Sequence, residues 1–78
     1  MTARAYILVE TELGKTRSVA GTLLRNEHVL FADLITGPFD VVVVLEASDL
    51  HEVGELVFST VHAVPGIIRT TTCLVVLS

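Results

Sequence analysis

The chain has little of what most functional classes require. It contains one cysteine, Cys73, so no disulfide can close within it, which suits the reducing cytoplasm as the expected location. The apolar strand pattern around Cys73 predicts a buried structural thiol. Only 5 residues are lysine or arginine, against 9 aspartates and glutamates, and the net charge is −4. Arg4, Lys15, Arg17, Arg25 and Arg69 are scattered, whereas binding to phosphates needs a concentrated basic face. Direct DNA binding is therefore not expected. An RNA-binding sheet would display aromatics on its middle strands, and Phe31 and Phe39 are too few for that. A membrane span needs roughly 20 apolar residues in a row; the run Val41 to Leu45 is closed by Glu46, and Cys73 to Leu77 is no longer. No basic head followed by an apolar stretch marks a signal peptide at Met1 to Glu10.

Patterns for catalysis are missing as well. His28, His51 and His62 share no metal-ligand spacing, and there is neither C-x-x-C nor H-E-x-x-H; all three read as solvated. Ser18, Ser48, Ser59 and Ser78 lie in no G-x-S-x-G elbow, and a helix-capping role accounts for Ser48. Glu10/Glu12 and Glu52/Glu55 read as solvated charge, although Glu10 ends a central strand and can face a cleft. The glycines are isolated, so no phosphate-binding loop is formed. No enzyme, metal or cofactor is expected.

What the chain does have is apolar material. Hydrophobic residues make up 51% of its 78 residues, charged residues 18%, and the mean hydropathy is +0.71. A chain of this size forms one domain, taken as residues 1–78, and is marginal as a monomer because much of its surface stays exposed. The apolar surplus is expected to be buried against another copy.

The pattern predicts six elements. Ala5 to Glu10 is rich in strand formers. Lys15 to Arg25 carries Val19, Ala20, Leu23 and Leu24 at helical spacing. His28 to Thr36 is a second strand, Gly37-Pro38 a turn, and Phe39 to Ala47 a third strand. Ser48 or Asp49 can cap the next helix, with Glu52 in the capping-box position after Asp49. Leu50, Val53, Val57 and Val61 mark its apolar face, with Gly54 and Phe58 beside them. Pro65-Gly66 stops that helix, and Ile67 to Leu77 is the last strand. The order β-α-β-β-α-β predicts an α+β, ferredoxin-like sandwich: a four-stranded antiparallel sheet with both helices on one face. Strands one, three and four are apolar on both sides, the mark of strands buried on both faces. The bare sheet face is therefore expected to pair with a second subunit as a homodimer.

Two polar clusters remain, Thr36-Gly37-Pro38-Phe39-Asp40 at the hairpin and Thr70-Thr71-Thr72 in the last strand. Singly, each has a structural explanation: threonines favour strands, and an aspartate beside a turn accepts backbone N–H bonds. Together they suit a small zwitterion. Asp40 and backbone carbonyls can accept from an ammonium, the Gly37 region and threonine hydroxyls can donate to a carboxylate, and a glycine admits close approach of backbone to ligand. The candidate ligand-binding residues are Thr36, Gly37, Phe39, Asp40, Thr70 and Thr72, meeting within one chain or across a subunit boundary.

At these residues the chain resembles a known family. Gly37-x-Phe39-Asp40, an aliphatic strand, a helix, Pro65-Gly66-Ile67, and Thr70-x-Thr72 before Val75-Val76 follow one another as in the effector-binding (RAM) domain of the Lrp/AsnC regulators. The likeness runs from Ala5 to Leu77. It implies a domain that dimerises through its sheets, dimers assembling into rings, commonly octamers, and an amino-acid effector held between dimers. Gly37 and Asp40 would then lie in the effector loop, with Thr70 and Thr72 in the same pocket. Because Ala5 already begins the first strand, the chain resembles a stand-alone member without the helix-turn-helix domain, one that senses amino acids or co-assembles with full-length Lrp/AsnC regulators in transcription regulation or amino-acid metabolism. Pro38 removes one backbone donor from the loop and stiffens it. Alternative readings are an ACT-type amino-acid-binding module, a dimeric α/β-barrel enzyme and a ligand-free adaptor.

Overall fold

A computed structural model describes residues 2–77 of the chain. Four strands, β1 (Ala3–Thr11), β2 (Val29–Leu34), β3 (Val41–Ala47) and β4 (Ile67–Leu74), form one antiparallel sheet in the order β2-β3-β1-β4. Helix α1 (Thr16–Leu24) connects β1 to β2, and α2 (Leu50–Leu56) leads from β3 toward β4. This is the expected β-α-β-β-α-β sandwich, with β1 and β3 in the centre.

The core lies between the sheet and its one layer of helices. Ala5, Ile7 and Val9 of β1 pair with Leu45, Val43 and Val41 of β3, and these side chains are buried with Val19, Ala20 and Leu23 of α1 and Val53 of α2. The molecule is only 17 Å across its thinnest axis, the thickness of a sheet and a single helical layer.

The second helix ends differently from the expected continuous stripe. After Leu56 the backbone opens into a wide π-type turn, Val57–Val61, in which the His62 N–H reaches back to the Val57 carbonyl at 3.0 Å. Val53 and Val61 of the expected stripe are buried, while Leu50 and Phe58 stay 60% and 77% exposed. Asp49, rather than Ser48, is the N-cap: its carboxylate accepts the Glu52 N–H at 2.8 Å. Glu52 in turn accepts the backbone N–H and hydroxyl of Ser48, so it closes a cap instead of being free surface charge. The Ser48 N–H, and secondarily the hydroxyl, hold the Glu52 carboxyl below its usual range.

Among the described residues, no element covers the other sheet face, and its side chains fall into transverse rows. Phe31, Val44, Tyr6 and Cys73 form one row, and Asp33, Val42, Leu8 and Thr71 the next. Charged pairs close both ends, Arg4 with Glu46 and Arg69 with Glu10, each at 2.9 Å. Val44 is 1% exposed yet stands apart from the main core, because its neighbours on this face cover it. Tyr6 and Phe31 remain 40% and 44% exposed.

Several expectations need correction. Cys73 is exposed, not buried, because strand alternation puts it on the open face at the sheet edge. Strand β4 is not apolar on both sides: Thr70 and Thr72 stand opposite Val9 and Ile7, while Thr71 and Cys73 stand opposite Leu8 and Tyr6. His28 is not simply solvated, since it is half-buried and its Nδ1 lies 3.1 Å from the Glu46 carbonyl. Glu10, too, is committed to Arg69.

Candidate functional site

Asp40 stands where a ladder ends. Pairing of β1 with β3 stops at Val9 and Val41, so the next β1 donors have no strand carbonyl on that side. The Asp40 N–H donates to the Val9 carbonyl at 2.8 Å, and its Oδ2 accepts the Thr11 backbone N–H at 2.8 Å and the Thr11 hydroxyl at 3.3 Å. The side chain substitutes for the missing carbonyl, because a backbone donor away from water needs a partner. Thr11 is buried, and its hydroxyl also lies 2.7 Å from that of Thr16, at the start of α1. The hairpin itself closes through Ile35 N–H to Asp40 C=O, 2.9 Å.

Gly37 has φ +137°, a backbone region that favours glycine, and a Cβ there would meet nothing within 4 Å. Its surroundings are open, as a loop available to a ligand requires. Thr36 beside it is exposed, and Phe39 is half-buried with the Arg69 guanidinium 6.0 Å from its ring centroid. A second close approach lies near this end: the Glu12 N–H bonds Gly66 C=O at 2.8 Å. Gly66 has φ +97°, and a Cβ on it would come within 3.0 Å of the Lys15 Cβ.

The hairpin and the first of the threonines thus share one end of the sheet. Val9 accepts from Asp40 on one side and pairs with Thr70 on the other. The Thr70 hydroxyl lies 3.2 Å from His62 Nε2. Thr72 is placed elsewhere, opposite Ile7, in the wall of a cleft between α2 and β4. Hairpin and Thr72 therefore do not line one pocket within a single chain.

The cleft exists because the helices stop short of the edge strand. Helix α1 lies over β2 and α2 over β3 and β1, leaving the helix-side residues of β4 partly uncovered. Its volume is about 460 Å³, within the usual range for small-molecule sites. Gly54, Phe58 and His62 line it with Thr72 and Leu74. Sequence reading missed this site, since it placed Phe58 toward the sheet; the signal available was Thr70-x-Thr72, polar residues facing the helix side of an edge strand. Among the described residues, no three His, Cys, Asp or Glu side chains converge to hold a metal. None of the described helices is long and apolar enough to cross a membrane.

The model of the Lrp/AsnC ligand binding domain matches residues 4–78. Among solved structures, the fold is similar to hypothetical protein PHS023 from Pyrococcus horikoshii, 29% identical with a TM-score of 0.90 over 97% of this chain and 92% of that one. It is also similar to AsnC of E. coli, 14% identical, TM-score 0.91, covering 97% of this chain but only 52% of that one. A third is the transcriptional regulator NMB0573 of Neisseria meningitidis in complex with L-Met, 19% identical, TM-score 0.85, covering 96% of this chain and 50% of that one. The last two share the fold alone, and this chain spans about half their length. No curated protein matches the sequence.

Proposed function

Since the chain belongs to the Lrp/AsnC ligand binding domain family, we propose that it is an amino-acid-responsive regulatory domain that works as a sheet-paired homodimer. The observation that carries the amino-acid part is the shared attachment of both polar clusters to Val9, through the Asp40 N–H and the pairing with Thr70. This gathers an open glycine turn, a carboxylate and threonine hydroxyls at one end of the sheet, groups suited to an ammonium and a carboxylate. The regulator of Neisseria meningitidis in complex with L-Met supports the same ligand class. Thr36, Gly37, Phe39, Asp40 and Thr70 contribute to the site from one subunit, and Thr72 from the cleft of a neighbouring one. Asp40 acts mainly as the anchor of the loop, because one carboxylate oxygen already holds Thr11.

The dimer part rests on the open sheet face, where Tyr6, Leu8, Val42 and Val44 form an apolar centre between charged ends, the arrangement of a subunit interface with its apolar centre and polar rim. Further assembly into an even-numbered ring, an octamer in the reading by resemblance, places hairpins next to clefts of adjoining dimers. Full-length Lrp/AsnC regulators are partners of the same kind, through the same face. The test is native mass spectrometry of the purified chain with and without the common amino acids. An even-numbered assembly that retains or responds to one amino acid is the expected result. A dimer indifferent to all of them overturns the effector reading and leaves an adaptor.

A further inference from the structure

We propose that two copies of the chain join their open sheet faces in one orientation, with β2 of each subunit lying over β4 of the other. This rests on the sheet-paired dimer above and adds the edge contacts that specify it, Asp33 with the partner's Thr71 and Phe31 with the partner's Cys73. A two-fold contact is self-complementary, so each such pair is made twice. Sheets packed in the aligned manner keep their strands within about 30° of one another. The two-fold axis then lies between the sheets, either along the strands or across them. An axis along the strands lays β2 on the partner's β4 and sets each transverse row against its own copy. An axis across the strands lays every strand on its own copy and reverses the order of the rows.

The composition of the two inner rows separates these orientations. From β2 to β4 they read Phe31, Val44, Tyr6, Cys73 and Asp33, Val42, Leu8, Thr71. Their centres do not discriminate, because Val44, Tyr6, Val42 and Leu8 meet apolar groups either way. Nor do the charged ends: Arg4 meets the partner's Glu46 with one axis and the partner's Glu10 with the other. The edges do. Asp33 is exposed in the single chain, and none of the ion pairs among the described residues engages it. With the axis across the strands, its carboxylate faces the partner's Phe31 and loses water to a ring that donates no hydrogen bond, which is costly. With the axis along the strands, it faces the partner's Thr71, whose hydroxyl can donate to it. The same axis sets Phe31 against the partner's Cys73, a soft, polarizable sulfur on an aromatic ring. Both groups are exposed in the single chain and become covered together.

Thiol cross-linking reads the orientation directly. Packed sheets lie roughly 10 Å apart, and neighbouring strands about 4.8 Å. A short bismaleimide therefore joins cysteines on facing strands but not cysteines on opposite edges of the two sheets. The experiment treats the whole chain with this reagent as wild type, as Phe31→Cys, and as Phe31→Cys with Cys73→Ser. Covalent dimers are read on a denaturing gel, and sedimentation establishes the assembly beforehand. The expected result is a covalent dimer in Phe31→Cys, and none in the wild type or once Cys73→Ser is added. Cross-linking of the wild type, or of Phe31→Cys with Cys73→Ser, overturns the orientation, because an axis across the strands brings those like positions together. Asp33→Cys with Thr71→Cys, in the Cys73→Ser background, is a second pair at exposed positions, and it decides the matter where Phe31→Cys dissociates the dimer. It should cross-link, while either substitution alone should not. A dimer in which neither designed pair cross-links overturns the orientation and leaves the dimer standing. A wild type that sediments as a monomer overturns both.

Discussion

At Asp40 one carboxylate oxygen holds two groups of Thr11, and this explains why a charge precedes the four valines of β3. The helix-side residues of this central strand are buried in the core, and Val44 on the open face is covered by its neighbours; the residue before the strand must finish the ladder. Replacing Asp40 by alanine leaves the Thr11 N–H without an acceptor in a part-buried position. The expected cost is about 1–3 kcal/mol, the range for an orphaned buried donor, read as a lower urea midpoint with an unchanged slope. Asp40→Asn keeps an acceptor oxygen and should cost less; equal losses for the two variants would mean that the contact contributes little. Sequence reading brought Asp40 to attention but left loop anchor and ligand contact open. Its partner Thr11 lies 29 residues away, and no local pattern reveals such a pairing. Gly66 is similar: Pro65-Gly66 predicted the stop of the second helix, but its crowding against Lys15 and Val19 is a contact between distant segments.

The elements themselves were legible where periodicity was strong. Strand β3 and the apolar faces of β1 and α1 follow from side-chain alternation and helical spacing alone, and the Asp49–Glu52 capping box from residue type and spacing. The π-type turn after Leu56 was not legible, because Val57 to Val61 is equally consistent with a regular helix. The cap of α2 carries a pH dependence. The Ser48 backbone N–H, then its hydroxyl, lowers the folded pKa of Glu52 below the ordinary 4.5. The unfolded chain therefore binds this proton more readily, and stability rises with pH through this group. The contribution is complete above about 4.5 and fades as pH falls through the lowered folded value. Comparing urea midpoints of the wild type and Glu52→Gln should give a gap at pH 7 that narrows below pH 4.5. A gap independent of pH would show that the charged form is not what the cap favours.

On the scale of the whole molecule, the proposed dimer rests on the open sheet face. Its centre is Val44, Tyr6, Leu8 and Val42, and its ends are ion pairs. Such exposed pairs contribute about 0–1 kcal/mol each, so in the proposed dimer the affinity comes from the apolar centre. Leu8→Glu places a carboxylate in that centre on a side of β1 that the helices do not touch. The variant should remain folded by circular dichroism and sediment as a monomer where the wild type sediments as a dimer or larger. A Leu8→Glu protein that keeps the wild-type assembly would move the subunit contact to another surface. By itself the sequence determined the element order, the antiparallel sheet with helices on one side, and the excess of apolar surface, because these depend on local periodicity and composition. The tertiary structure alone decided which threonines share a space with which helix, that Cys73 faces outward, and that the cleft exists at all. Those outcomes depend on how far each helix reaches across the sheet and on which face alternation brings each β4 residue, and both are settled only when distant segments pack.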